Sequence, residues 1–187
     1  MLSVLDVFLV LGVLCLFAWG IYKQTVGMLL TWICFWIAVV LAGSVVLTLS
    51  GAYGLGMKIQ RALWGGIPSL QLVQAVIFLV LGSGISFGLH LLVHYVFPNP
   101  GIPKLGIVDN VLGGVLGLGL AAVAMALLSN LWRIMVSVSW QPYWLWRAMW
   151  TAYEVSTLKF YLRPVLLFSN KLFFPFALMG YPIVLLP

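Results

Sequence analysis

The chain has 187 residues, of which 64% are hydrophobic and only 6% are charged, and its mean hydropathy is +1.19. So little charge excludes a soluble globular domain and indicates an integral membrane protein. Because the net charge of +6 is spread along an apolar sequence, it indicates membrane topology and contact with anionic lipid headgroups. We therefore expect the lipid bilayer and no nucleic acid among its partners.

The first two predicted elements form a helical hairpin. An apolar run over residues 4–21 ends in Tyr22, Lys23 and Gln24, an aromatic and a cation of the kind found at the membrane interface. A second apolar run covers residues 26–49. Because the connection is very short, we expect these two helices to be antiparallel neighbours.

Two further spanning helices are predicted after a loop over residues 51–69, in which residues 57–64 suggest a short interfacial helix. The third helix covers residues 70–96 and stops before Pro98 and Pro100, which cannot continue it. The fourth covers residues 107–131. Each run is long enough to cross a bilayer, which takes about 20 residues.

Glycines mark the predicted packing faces of the third and fourth helices. Gly113 and Gly117 are one helical turn apart, so they leave a stripe without side chains on which another backbone can pack. The third helix carries Gly82, Gly84 and Gly88. We therefore predict that its glycine face, with Gly82 and Gly88, packs against Gly113 and Gly117.

The last part of the chain, residues 132–187, has a different character. Five tryptophans lie among four cations, a mixture typical of the headgroup boundary: Trp132, Trp140, Trp144, Trp146 and Trp150. We predict one interfacial helix over residues 140–162, started by Pro142, and an irregular, proline-interrupted tail over residues 171–187. The predicted fold class is all-α: a four-helix integral membrane bundle over residues 1–131, followed by this Trp-rich helix and tail.

Four crossings divide the cations unequally between the two sides of the membrane. Seven lie with the termini and two lie on the other side: Lys58, Arg61, Arg133, Arg147, Lys159, Arg163 and Lys171 against Lys23 and Lys104. The positive-inside rule then places both termini in the cytoplasm.

Four polar residues are candidates for specific roles. Lys23 and Asp109 are predicted at the same membrane face, where they could form an ion pair; in the alternative interpretation, Asp109 caps its own helix. His90 and His94 lie one turn apart and could ligate a haem or a chlorophyll. Neutral histidines that hydrogen-bond across helices are the alternative, and we predict no metal site because no third ligand lies close in sequence.

The hairpin, with Gly20, Lys23 and Gly27 around its turn, resembles the CvpA, or colicin V production protein, family. The segment DNVLGGVLG, with Asp109, Leu112, Gly113 and Gly117, resembles that family's Asp-Arg-x-x-Gly-x-x-x-Gly signature. The resemblance covers about residues 3–131. It implies a small bacterial inner-membrane protein linked to export of a peptide toxin or to envelope upkeep.

The sequence departs from the family pattern at two arginine positions of these motifs. Asn110 stands where the family usually has the arginine after the aspartate, and Lys23 replaces the arginine of the hairpin turn. A second arginine and glycine, common further along the fourth helix, are here Leu120 and Ala121. Any role of those arginines therefore does not carry over.

The sequence contains no nucleophile elbow, phosphate-binding loop or zinc-binding pattern. We therefore predict a non-enzymatic scaffold or accessory subunit without a cofactor, with other membrane-protein subunits as partners. One alternative is a pigment- or haem-associated subunit of a respiratory or photosynthetic complex, which would use His90 or His94. Another is a component of a transport or secretion channel, for which ionisable residues at mid-membrane would be the expected mark.

Overall fold

The computed structural model describes residues 3–51, 70–97, 106–137, 139 and 142–173, and these ranges contain five helices and no strand. The helices are α1 (Val4–Gly51), α2 (Leu70–Val96), α3 (Ile107–Val136), α4 (Tyr143–Val155) and α5 (Leu158–Phe173). The prediction of an all-α fold is confirmed for this part of the chain. The predicted loop helix at 57–64, the loop cations Lys58, Arg61 and Lys104, Trp140 and the tail beyond residue 173 lie outside the described residues.

Three helices, α1, α2 and α3, are long and apolar enough to cross a membrane. α2 has the predicted bounds and α3 begins at the predicted residue. α1 has 48 residues. A straight helix of that length would measure about 72 Å, more than twice the roughly 30 Å hydrocarbon core of a bilayer.

Gln24 breaks α1 into two parts. Its backbone has φ 61° and ψ −179°, which is not helical. The break separates a first arm, residues 4–23, from a second arm, residues 25–51. Each arm has about the 20 or more residues that one membrane crossing requires.

Contacts with α3 show the direction of the first arm. Gly12 faces Met125, and Gly20 faces Gly113. As the chain proceeds along the first arm, its contacts therefore move backwards along α3. The first arm and α3 are antiparallel.

The second arm runs parallel to α3. The backbone N–H of Thr25 donates to the carboxylate of Asp109, and the indole of Trp32 donates to the carbonyl of Leu116 at 3.0 Å. Contacts now advance along both helices together. The two arms of α1 are therefore antiparallel to one another, as their short connection predicts.

The hydrophobic core lies between the second arm, α2, α3 and α5. Its buried members are Val39, Ala42, Val46, Ala75, Phe78, Val123, Ala126, Leu127, Leu131, Ile134 and Leu166. Among the described residues of α2, only those up to Ile85 enter this core or pack against it. Much of the rest of α2 is exposed, up to 90% at Tyr95, so in a bilayer it would face lipid or another protein.

Helix α3 continues to Val136, five residues beyond its predicted end. Ile134 and Val136 are buried, so the last turn packs against the elements that follow it. Two indoles connect this turn to α4: Trp132 donates to the carbonyl of Met149 at 3.0 Å, and Trp146 donates to the carbonyl of Val136 at 3.1 Å. The apolar sequence gives way at Trp132 to one rich in tryptophans and cations. This change in composition therefore marks a change of environment and not the end of the helix.

The predicted single helix over residues 140–162 is wrong, because the structure has two helices there. α4 begins directly after Pro142, which occupies the cap position, and ends before Ser156, whose backbone is extended with φ −63° and ψ 128°. α5 then continues well beyond residue 162 and includes Pro164.

Candidate functional site

The described helices make a close contact at a glycine seam formed by Gly20, Gly113 and Gly117. A Cβ atom placed on Gly117 would lie 2.6 Å from the carbonyl oxygen of Leu16 and 3.2 Å from the Cα of Gly20. One placed on Gly113 would lie 2.7 Å from the carbonyl carbon of Gln24. Because these neighbours are backbone atoms, no side chain fits, and only glycine permits the approach.

This contact corrects the predicted pairing of glycines. Gly113 and Gly117 pack against the first arm of α1 and not against α2. A Cβ on Gly82 would meet only Ala42, at 3.7 Å, while one on Gly84 or Gly88 would have no described residue within 4 Å. The hairpin explains the difference, because it brings both arms of α1 alongside α3 and so occupies the face predicted for α2.

Asp109 caps a helix to which it does not belong. Its side chain is 1% exposed, and its Oδ1 accepts the backbone N–H of Thr25 at 3.0 Å, while the Thr25 hydroxyl donates to the Asp109 carbonyl at 3.1 Å. Thr25 begins the second arm, where the first N–H groups have no partner within the helix. Asp109 also lies in the first turn of α3, so its charge is favourable for the dipoles of two parallel helices.

The predicted ion pair between Lys23 and Asp109 stays a prediction. The structure places both residues at the end of the molecule that contains the hairpin turn. There the Lys23 ammonium lies over the Trp19 ring, 5.2 Å from its centroid, in a cation–π contact. The Thr25 N–H donates to the Asp109 carboxylate, and this hydrogen bond caps the second arm of α1.

Asp6 occupies the corresponding position at the opposite end of the molecule. It is fully buried, and it forms a reciprocal capping box with Ser3: the Ser3 N–H donates to Oδ2 at 3.2 Å and the Asp6 N–H donates to the Ser3 Oγ at 3.0 Å. Asp6 also lies in the first turn of its own helix, where a negative charge is favourable for the helix dipole.

The same carboxylate also joins α4 to α5. It accepts the Ser156 hydroxyl at 2.5 Å, the Thr157 N–H at 3.3 Å and the Leu158 N–H at 3.2 Å. We call these four residues the Asp6 clamp. The clamp holds Ser156 extended and caps the start of α5, which explains the break between the two helices. A Ser-Thr pair before an apolar run was the only sequence signal for this cap, and it did not indicate a partner 150 residues away.

The two histidines have different environments. The ring of His90 is half-buried, with its centroid 5.8 Å from that of Trp19, and it lines an open groove of about 430 Å³ together with Cys34 and Phe87. His94 is exposed. Among the described residues, no three of the types His, Cys, Asp and Glu group together in a way that could hold a metal ion.

The structure therefore brings together Gly113, Gly117 and Asp109 at one end of the α1–α3 contact, and it leaves the glycines of α2 apart from them. Gly20 and Thr25 complete this contact, although no role in helix packing was predicted for either. No protein-family model, no curated protein and no solved structure matches the chain.

Proposed function

We propose that this protein is a non-enzymatic membrane scaffold, an accessory subunit that binds other membrane-protein subunits through α2. The observation that carries the proposal is a contrast between two pairs of glycines with the same spacing. Gly113 and Gly117 lie against the backbone of α1, whereas Gly84 and Gly88 have open space above them within the described part of the chain. Small residues at this spacing allow close packing of membrane helices, so we propose that a transmembrane helix of a partner covers them.

The use of the buried carboxylates supports a structural role. Asp6 and Asp109 both accept hydrogen bonds from the first backbone N–H groups of a neighbouring helix. A carboxylate that serves in this way stabilises the arrangement of helices. We assign both acids to assembly of the fold and not to chemistry or transport.

We further propose that the chain crosses the inner membrane four times, with both termini in the cytoplasm. The break at Gln24 and the antiparallel arms support two crossings by α1, followed by one each by α2 and α3. The Asp6 clamp supports an even number of crossings. It joins the start of the first arm to residues 156–158, which follow α3, so these two parts of the chain lie at the same end of the molecule. The cations Arg133, Lys159 and Arg163 lie near this end, in agreement with the positive-inside rule.

The CvpA resemblance enters this proposal through the residues that carry it. Gly20, Asp109, Gly113 and Gly117 were separate features of the sequence, and in the structure they meet at the hairpin end of the α1–α3 contact. Their role as a packing unit supports the resemblance. We therefore propose a link to envelope upkeep or to export of a peptide toxin, as that family implies.

Site-specific photocrosslinking in native membranes tests the scaffold proposal. A benzophenone amino acid replaces Gly88 in the full chain, and the matched control carries it at Val115, which is 57% exposed on α3. We expect a discrete crosslinked protein from position 88 that is absent from position 115. Crosslinks to lipid alone at position 88, or the same protein from both positions, would contradict the proposal.

The groove beside His90 favours a second candidate, a haem- or chlorophyll-bearing subunit. One histidine can serve as the axial ligand of such a group, and His90 has an aromatic neighbour and an open groove. The absorbance spectrum of the protein purified from its native membrane tests this candidate. A haem or chlorophyll band that disappears in His90→Ala is expected; a spectrum with aromatic absorption alone would contradict it.

A further inference from the structure

A cavity of about 290 Å³ lies between the C-terminal half of α3 and the helices α4 and α5. Its lining includes three cations, Arg133, Lys159 and Arg163, and none of the described residues that line it is acidic. Positive charges gathered around a cavity with low-dielectric walls focus the electric field and raise the local concentration of anions. The cavity is therefore suited to an anionic ligand.

The end of α4 fixes part of this lining. The Lys159 ammonium donates to the carbonyls of Tyr153 at 2.7 Å and Glu154 at 2.9 Å, and it lies 4.6 Å from the centre of the Tyr153 ring. It thereby binds carbonyls of the last turn of α4, where the Tyr153 carbonyl also accepts the Ser156 N–H at 3.2 Å, and becomes part of the cavity wall. Burial raises the pKa of the Tyr153 hydroxyl, although the nearby charges of Arg133 and Arg163 act to lower it. The hydroxyl therefore keeps its proton at neutral pH and is a donor.

The donor set and the volume indicate a phosphate group. The planar fork of a guanidinium matches two oxygens of a phosphate, and the cavity contains two such groups. Its volume is near the lower end of the roughly 300–1,000 Å³ of small-molecule pockets. That size suits a headgroup better than a large cofactor.

The position of the cavity indicates a lipid as the source of the phosphate. Arg133 belongs to the last turn of α3, a helix able to span a membrane, so it lies at the depth of the headgroups if α3 crosses. Phe160, Leu162 and Leu166 supply an apolar wall beside the cations. This wall can contact the glycerol and the first carbons of an acyl chain, whereas free phosphate would gain nothing from it.

We propose that this cavity binds the phosphate of an anionic membrane phospholipid, with Arg133, Arg163 and the Tyr153 hydroxyl as donors. The site lies on α3, α4 and α5, away from the exposed glycines of α2. It can therefore fail while the scaffold proposal holds, and the reverse is also true.

Native mass spectrometry of the full-length protein tests the site, with phosphatidylglycerol or phosphatidylcholine added to the detergent. The variant is Arg163→Gln, and the matched control is Arg147→Gln, an exposed cation of α4 that does not line the cavity. We expect the wild type to retain phosphatidylglycerol in preference to phosphatidylcholine. Arg163→Gln should weaken this retention at least about tenfold, because a charge-assisted hydrogen bond is lost. Arg147→Gln should change it by less than about twofold.

Three results would overturn the proposal. Equal losses in both variants would show a diffuse attraction to the charged surface. A thermal midpoint raised as much by inorganic phosphate as by phosphatidylglycerol would assign the cavity to free phosphate.

If Arg163→Gln does not fold, Arg163→Lys replaces it, because lysine keeps the charge and loses the fork. Arg163→Lys should then retain less lipid than the wild type, and full retention would contradict binding by the guanidinium.

Discussion

At the scale of single residues, Asp6 and Asp109 show how a set of packed apolar helices can hold a buried carboxylate. A buried charge is costly unless hydrogen bonds or an opposite charge stabilise it. In both cases the donors include backbone N–H groups at the start of another helix, which have no partner in their own helix. Each acid and the helix it caps thus satisfy one another.

Asp6→Ala is expected to lower the free energy of unfolding by about 1–3 kcal/mol, because it leaves the N–H groups of Thr157 and Leu158 without their acceptor. Chemical unfolding in detergent measures the change. Glu154→Ala is the control, since Glu154 is exposed and its loss should cost less than about 0.5 kcal/mol. Equal effects of the two substitutions would show that the Asp6 clamp does not stabilise the fold.

The backbone conformation of Gln24 lowers the free energy of unfolding. Its φ of 61° and ψ of −179° lie in a region that glycine adopts far more readily than other residues. Gln24→Gly should therefore raise stability by about 1 kcal/mol, the relief of strain less the greater entropy of an unfolded glycine. Gln24→Ala, which keeps the Cβ atom, serves as the control. A glycine variant no more stable than the alanine variant in thermal unfolding would contradict the strained turn.

At the scale of helices, the glycine seam is a contact that leaves no space for a larger side chain. Gly117→Leu places a side chain where the Leu16 carbonyl already lies, so it should cost at least about 1–3 kcal/mol or separate α1 from α3. Gly88→Leu has the same chemistry in open space, and we expect it to leave the thermal midpoint of the isolated protein unchanged. Similar midpoints for both variants in detergent would exclude the seam as a structural contact.

The sequence predicted the helices better than their partners. The bounds of α2 and the turn near Gln24 follow from apolar runs and their polar ends, which are local signals. The partner of Gly113 and Gly117 was wrongly predicted, because a glycine stripe shows where a backbone can approach but not which backbone does so. The Asp6 clamp likewise depends on a contact across 150 residues, and no local pattern specifies such a pair.

The candidate site also depends on contacts that no local sequence pattern specifies. The sequence marked Asp109 as an acid at a helix start, and the structure gives it the first N–H of the second arm as a partner. The three cations of the cavity were predicted only as interfacial charges. They share one cavity because α5 packs back against α3. The number of charges in the sequence does not predict this tertiary contact.

At the scale of the whole molecule, the antiparallel arms of α1 give the chain its architecture. One 48-residue helix becomes two segments of suitable length for a bilayer, and both lie against α3. The arms also place the Asp109 cap and the Asp6 clamp at opposite ends. If the protein crosses the membrane as we propose, the two caps lie at its two faces.

Cysteine labelling in intact cells tests this architecture most directly. Cys15 and Cys34 are first replaced by serine, and single cysteines are placed at Tyr22, which is 77% exposed beside the turn, and at Ser137, which is exposed after α3. We predict that a membrane-impermeant maleimide labels Tyr22→Cys from outside and reaches Ser137→Cys only after the membrane is opened. Labelling of both positions from the same side would contradict it. So would a Tyr22→Cys that remains unlabelled in opened membranes, as expected if α1 crossed the bilayer as one straight helix.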